Sequence, residues 1–341
     1  MSVSEFDYPG NARDHRNYES LRDDPRHQQE DELENSLLPY VGVEEIKDIG
    51  NFLKSLSAEF VGTSLLVFIG CGSCIGGDPA EEPGQLDDQA NIVRIALCFG
   101  ITVATLAQTM GHVSGCNINP AVSLGLIVGG KLGLMKGCAY ILCQCGGAVL
   151  GSVMLYAVVP SQARGAAGLG KTNLAANVTL IQGLTIEMLI TMVLVMIVFA
   201  AAADSINADT VKGSAPLAIG LSITTCHLFA VPLTGSSMNP ARSLGPAVIL
   251  QNFSNHWVYW VGPLLGSILA AIFYQVVLRA RGQSKKQRKV KRVDSKKEFC
   301  KKRNESPAYE KKQPEDVYAR DVIACRESNG KELVWIENID K

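Results

Sequence analysis

The chain has 341 residues, 47% of them hydrophobic and 19% charged, with a formal net charge of -1. So balanced a charge gives no reason to expect a nucleic-acid partner or a strongly charged substrate. The charges are segregated, however. Residues 1–48 are polar and acid-rich, 279–303 are densely basic, and about 50–278 carry almost no charge over long runs. That is the pattern of a polytopic membrane domain between two soluble tails.

The N-terminal tail, 1–48, has few large apolar residues and reads as disordered. Its polar start argues against a cleavable signal peptide. Glu30, Asp31, Glu32 and Glu34 form an acidic cluster that reads as a solvated run, with partner binding as the alternative. The ten cysteines do not form a disulfide pattern, because most lie inside apolar runs, where Cys behaves as a small hydrophobe. Cys71 and Cys74 match a CxxC spacing, but no second pair or His cluster stands nearby. Neither a metal nor a cofactor is expected.

The first membrane span is expected at about 52–76 and contains Glu59. A carboxylate at membrane depth normally faces the interior of the bundle. Glu59 reads as an acceptor for backbone N–H groups of a buried loop, with a proton or ion site as the alternative. An acidic loop, 78–88, leads to the second span at about 92–110. The triplet Asn119-Pro120-Ala121 then opens a short apolar run. Asn is a good helix cap, and Pro at the first helical position loses no hydrogen bond. The run is too short to cross a bilayer, which takes roughly 20 apolar residues. It therefore reads as a half-length helix. The third span, about 137–159, follows Lys131 and Lys136.

A Gly/Ala-rich loop, 160–181, joins two halves and carries the glycosylation sequon Asn177-Val178-Thr179. The fourth span, about 182–203, places Glu187 where Glu59 stands in the first half. The fifth span is about 214–231, a second triplet Asn239-Pro240-Ala241 opens a second half-helix, and the last span is about 256–278. Six spans put both termini on one side. The basic run after residue 278 assigns that side to the cytosol, and Lys131 and Lys136 agree. The pairs Gly125/Gly129, Gly147/Gly151 and Gly262/Gly266 are spaced for close helix packing.

With an odd number of spans between them, the half-helices enter from opposite faces and meet near the middle. Broken helices at that depth are tolerated only in protein or beside a wet cavity. In matching positions of two halves they point to an inverted repeat with a midplane site. Two N-termini face to face bring two partial positive charges together, which disfavours a cation. Asn119 and Asn239 can offer N–H donors to a neutral oxygen. The pattern favours passage of small neutral hydroxylic molecules. Arg242 follows the second triplet and reads as a pore-lining donor and second positive barrier, with a snorkelling arginine as the alternative.

From about Leu53 to Leu278 the chain resembles the aquaporins (major intrinsic proteins), water-selective branch. The stretches Ser114-Gly115-Cys116-Asn117-Ile118-Asn119-Pro120-Ala121-Val122 and Thr234-Gly235-Ser236-Ser237-Met238-Asn239-Pro240-Ala241-Arg242-Ser243 look like that family's two signature loops. The resemblance implies an all-α membrane fold of six transmembrane helices plus two re-entrant half-helices in an inverted repeat, spanning 49–278. It implies a selectivity filter at Phe99, His227, Ser236 and Arg242. Phe99 would be a bulky wall, His227 a narrowing polar edge, and Ser236 a small residue with an available carbonyl. Glycerol-conducting relatives usually differ at His227, Ser243, Ala247 and Tyr259-Trp260, where this chain has the water type. Cys116 and Asn117 depart from the commoner small residue and His, and Ser236 from Cys or Ala. A homotetramer with one pore per subunit is also implied.

The C-terminal tail, 279–341, resembles nothing nameable. Its basic run either binds anionic lipid headgroups or merely fixes topology. Ser284 and Ser295 are candidate phosphate acceptors there. The expected function is passive, single-file water transport across a cell membrane, probed below against two alternatives. One is a channel that also passes glycerol, urea or peroxide. The other is a poorly conducting junction or scaffold protein. No nucleophile–base constellation suggests an enzyme.

Overall fold

The computed structural model describes residues 40–75, 87–161, 164, 168–203 and 213–279, and the backbone of 325–328 and 331–334. Most of the N-terminal tail, the loop 78–88 apart from its helical end, Asp204, Asp209 and the basic run after Arg279 lie outside the described residues. The chain divides into two units, 1–279 and 280–341.

Among the described residues of the first unit the regular secondary structure is all helical. A short helix α1 (Glu44–Lys47) precedes α2 (Ile49–Gly72) and α3 (Asp87–Ser114). The half-helix α4 (Pro120–Val128) and then α5 (Leu134–Val158) complete the first repeat. The second comprises α6 (Leu180–Val198), α7 (Ala215–Thr234), the half-helix α8 (Pro240–Ile249) and α9 (Val258–Phe273). Six of these helices are long and apolar enough to cross a membrane: α2, α3, α5, α6, α7 and α9, where α6 and α9 run on as π-helical turns to Ala203 and Leu278.

Local chemistry explains where the elements begin and end. Asp48 caps α2 by accepting from the Asn51 N–H at 3.1 Å. Thr179 and Gln182 form a reciprocal capping box at the start of α6. Gly235, at φ +75°, closes α7 in the left-handed conformation that favours glycine. Helix α3 runs several residues beyond the expected 92–110 at both ends. Apolar content marks the membrane core, whereas the backbone hydrogen bonds of a helix continue into the polar interface.

The packing is that of two interlocked repeats. Helix α2 packs most closely on α5, α6 on α9, and α3 on α7 across the repeats. Each half-helix lies against the last span of the other repeat, α8 on α5 and α4 on α9. Glycines allow the close α2–α5 and α6–α9 crossings. A Cβ on Gly147 or Gly151 would overlap the Phe60 or Ser64 carbonyl of α2, and one on Gly266 would overlap the Met188 carbonyl of α6. Gly266→Ala is therefore expected to cost about 1–3 kcal/mol through overpacking and to lower the melting temperature of the purified protein. Gly111→Ala, whose Cβ would have no neighbour within 4 Å, is the control. Equal melting of the two variants would contradict this account of the crossing.

Two features differ from expectation. Residues 40–48, assigned from sequence to a disordered tail, carry ordered helix, α1. Glu45 anchors it by accepting from the Gly133 N–H at 3.1 Å and approaching Lys136 Nζ at 3.7 Å. In the second unit, β1 (Cys325–Ser328) pairs antiparallel with β2 (Lys331–Val334), from Cys325↔Val334 to Ser328↔Lys331. The intervening sequence Asn329-Gly330 is a strong two-residue hairpin signal.

Candidate functional site

The site starts from the two triplets. Asn119 Oδ1 accepts from the Ala121 N–H at 2.8 Å. Asn239 Oδ1 accepts from the N–H groups of Ala241 and Arg242 at 3.0 and 3.2 Å. Each asparagine thus caps its own half-helix, and Pro120 and Pro240 occupy the first helical positions. Each then reaches across. Asn119 Nδ2 donates to the Met238 carbonyl and Asn239 Nδ2 to the Ile118 carbonyl, both at 2.9 Å. The two half-helix N-termini therefore meet, tied by a symmetric pair of bonds. An amide carries two N–H donors, so one remains on each asparagine.

The loops entering the half-helices are held by two buried carboxylates. Glu59 accepts from the N–H groups of Asn117 (2.9 Å) and Ile118 (2.6 Å), and Glu187 from those of Ser237 and Met238 (both 2.9 Å). Ser114 Oγ and Thr234 Oγ1 each donate to their carboxylate at 2.6 Å. Both carboxylates are 0% exposed, so these bonds replace lost hydration. The peptide group is planar and trans, so its N–H and C=O point oppositely. Turning these N–H groups to a carboxylate turns the carbonyls of Cys116, Asn117, Ser236 and Ser237 away from it. The alternation needs left-handed backbone at Cys116, Ile118, Ser236 and Met238, with φ between 43° and 51°.

Several partners were not foreseen from sequence. Tyr140 and Tyr259 donate to the carbonyls of Ser114 and Thr234, both at 2.9 Å. Gln144 Nε2 joins Glu59 (2.8 Å) to Ser123 Oγ (2.9 Å). In the second repeat the serine counterpart, Ser243, bonds instead to Thr172 and Ser237. The available signal was the equal spacing of Ser114 and Thr234 before the two triplets and the nearly equal spacing of Tyr140 and Tyr259 after them.

A cavity of about 520 Å³ runs past this centre. Asn119 and Asn239 line it, with Val103, Val122, Leu194 and Ile223 among its apolar walls. Glu45, Lys131, Leu132 and Lys136 line it as well. So do Phe99, His227 and Arg242, which the structure brings together. The Phe99 and His227 rings stack with centroids 4.5 Å apart, and Arg242 Cζ lies 4.9 Å from the Phe99 centroid. Gly70 makes room for Phe99, since a Cβ there would press on the ring. His227 Nδ1 lies 3.0 Å from the Ile223 carbonyl. A carbonyl only accepts, so the neutral ring carries its proton on Nδ1 and leaves Nε2 as an acceptor. That Nε2, and Arg242 Nε, are buried and have no hydrogen-bond partner among the described residues. Arg242 Nη1 donates to the Gly170 carbonyl at 2.6 Å. Ser236, which the resemblance places in the filter, is instead fully buried and does not line the cavity, and its hydroxyl has no partner among the described residues.

Asn177 lies exposed in the loop before α6. Among the described residues no group of three or more His, Cys, Asp or Glu is clustered as a metal site would require.

Comparison with known proteins gives this geometry a class. A family model described as Major intrinsic protein matches residues 46–274. Aquaporin-4 of Mus musculus is 46% identical over 226 residues, which cover 66% of this chain and 68% of that protein. Aquaporin-1 of Rattus norvegicus is 44% identical over 230 residues, 67% of this chain and 84% of that protein. The X-ray structure of the aquaglyceroporin from Plasmodium falciparum superposes with a TM-score of 0.58 at 23% identity, covering 67% of this chain and 97% of that one. That likeness is one of fold. The chain belongs to the major intrinsic protein family, the aquaporins. It is a multi-pass membrane protein of the channel type, with the all-helical membrane fold expected from its sequence.

Proposed function

We propose that the protein is a water-selective pore that rejects protons, ions and larger neutral solutes. It is a water channel, and the cavity between the repeats is the path. Flow is passive, in single file and driven by osmotic difference, with no covalent chemistry. The constriction is formed by Phe99, His227 and Arg242.

The observation that carries this reading is the meeting of Phe99, His227 and Arg242 on the cavity wall, where the His227 Nε2 acceptor and the Arg242 Nε donor have no hydrogen-bond partner among the described residues. A water molecule both donates and accepts, and so has the chemistry to match either group. The Phe99 ring and the apolar walls offer a larger polyol nothing for its remaining hydroxyls, and unpaired buried hydroxyls are costly. At the centre, the free N–H donors of Asn119 and Asn239 bind the water oxygen. Its hydrogens then point away from both half-helices, which interrupts the relay a proton needs. Each half-helix N-terminus adds roughly half a positive charge, and Arg242 adds a full one.

This reading extends to assembly and placement. The channel works as a homotetramer with one pore per subunit, in the plasma membrane, with both termini cytosolic. The charged residues Lys131 and Lys136 then belong to the cytosolic mouth, in keeping with the positive-inside rule. Asn177 faces outward and is the candidate glycosylation site.

Arg242→Val tests the reading. Proteoliposomes containing the variant are expected to keep water flow and to gain a proton leak under an imposed pH gradient. An unchanged leak, in protein that still conducts water, would remove Arg242 from the barrier.

A further inference from the structure

The loop between the repeats contains three consecutive residues with positive φ: Gly168 at 51°, Leu169 at 51° and Gly170 at 68°. Glycine adopts this backbone freely, whereas a residue with a Cβ does so against steric resistance. Leu169 is nonetheless 0% exposed and belongs to the main hydrophobic core. Its burial supplies what holds the turn in an otherwise unfavourable course. Gly170 fits flush against α2, where a Cβ would come within 2.7 Å of the Cys71 carbonyl oxygen. The Lys171 N–H closes the turn on the Gly168 carbonyl at 3.0 Å.

The clamp fixes one oxygen, the Gly170 carbonyl, which accepts from Arg242 Nη1 at 2.6 Å. Two residues on, Thr172 Oγ1 donates to Ser243 Oγ at 2.9 Å. The strap thus grips two consecutive residues of α8. Among the described residues no carboxylate forms an ion pair with Arg242. Its orientation therefore depends on neutral partners, the Gly170 carbonyl, the Phe99 ring and the Cys74 side chain, of which the Gly170 carbonyl is the backbone acceptor. An arginine side chain has many rotamers, and without a fixed acceptor it does not stay in one of them.

We propose that Leu169 is a positioning residue for selectivity, acting by anchoring the Gly168–Gly170 turn so that its carbonyl holds the Arg242 guanidinium beside the pore. The inference rests on the reading of Arg242 as a member of the constriction. It adds a residue outside the pore to the machinery of rejection. Leu169 touches no permeating molecule and acts only through Arg242.

The test uses the full chain in proteoliposomes. Water flow, glycerol uptake and proton leak are measured for the parent, Leu169→Ala, Leu169→Met and Arg242→Val. Leu169→Ala is expected to keep water flow per folded channel and to admit glycerol or protons several-fold faster, shifting in the same direction as Arg242→Val. Leu169→Met, which refills the buried site, is expected to restore rejection. A merely structural role would lower water flow and leave rejection unchanged. Unchanged rejection in a conducting Leu169→Ala channel, beside a leaky Arg242→Val, overturns the proposal. Unchanged rejection in Arg242→Val itself instead overturns the constriction reading. Should Leu169→Ala not fold, Leu169→Ile preserves volume while its β-branch resists positive φ. It must then show the same loss of rejection, and intact rejection in it equally overturns the proposal.

Discussion

Glu187→Leu is expected to leave no functional channel. Its carboxylate accepts from Thr234 Oγ1 and from the N–H groups of Ser237 and Met238, all of them buried. Leucine has a similar volume and no acceptor. Each orphaned buried donor costs about 1–3 kcal/mol, and three of them remove much of a folding margin of about 5–15 kcal/mol. The loss falls on a loop already bent through positive φ at Ser236 and Met238, so the loop is expected to relax before the rest of the fold. With it go the Met238 carbonyl that receives Asn119 and the direction of α8. Water flow per reconstituted protein should fall to that of empty liposomes, and the melting temperature should drop. Glu187→Gln, which retains one acceptor, should lie between. Parent-like melting and flow in Glu187→Leu would show that the carboxylate does not hold the loop.

The second large effect is expected at His227, and it concerns selectivity. The imidazole stacks on Phe99 and lines the cavity, and its Nε2 is the ring nitrogen left as an acceptor. His227→Ala removes both the bulk that narrows the proposed constriction and its acceptor. Water should still pass, because Arg242 Nε and the asparagine donors remain. Glycerol entry should rise on the order of tenfold, equivalent to about 1.4 kcal/mol off its barrier. Light-scattering measurement of glycerol uptake in proteoliposomes reads this directly. Unchanged exclusion would mean that the narrowest point lies elsewhere along the cavity.

Much of the architecture was legible in the sequence because it is written twice. One Asn-Pro-Ala triplet would be a helix cap like many others. Two, each before a run too short to span a membrane, require half-helices that meet. Glu59 and Glu187 were legible for the same reason, since a repeated carboxylate in an apolar span needs a repeated partner. What stayed hidden depends on contacts made only on folding. Gln144 reads as an ordinary polar residue in an apolar helix until α5 brings it between Glu59 and Ser123. Tyr140 and Tyr259 look like membrane aromatics until their hydroxyls reach loop carbonyls. The Gly168–Gly170 turn lay in a loop that composition described only as rich in small residues. The α1 segment was assigned to the tail because its order comes from Gly133 and Lys136, distant in the chain, and from no apolar pattern of its own.

The central claim is that the cavity between the two repeats passes water and stops larger solutes. Osmotic shrinkage of proteoliposomes containing the purified full chain, run in parallel with glycerol uptake, tests it most directly. The account predicts fast water flow with low activation energy and glycerol uptake no faster than through empty liposomes. Glycerol uptake alongside the water would contradict it, as would the absence of water flow from protein shown to be folded.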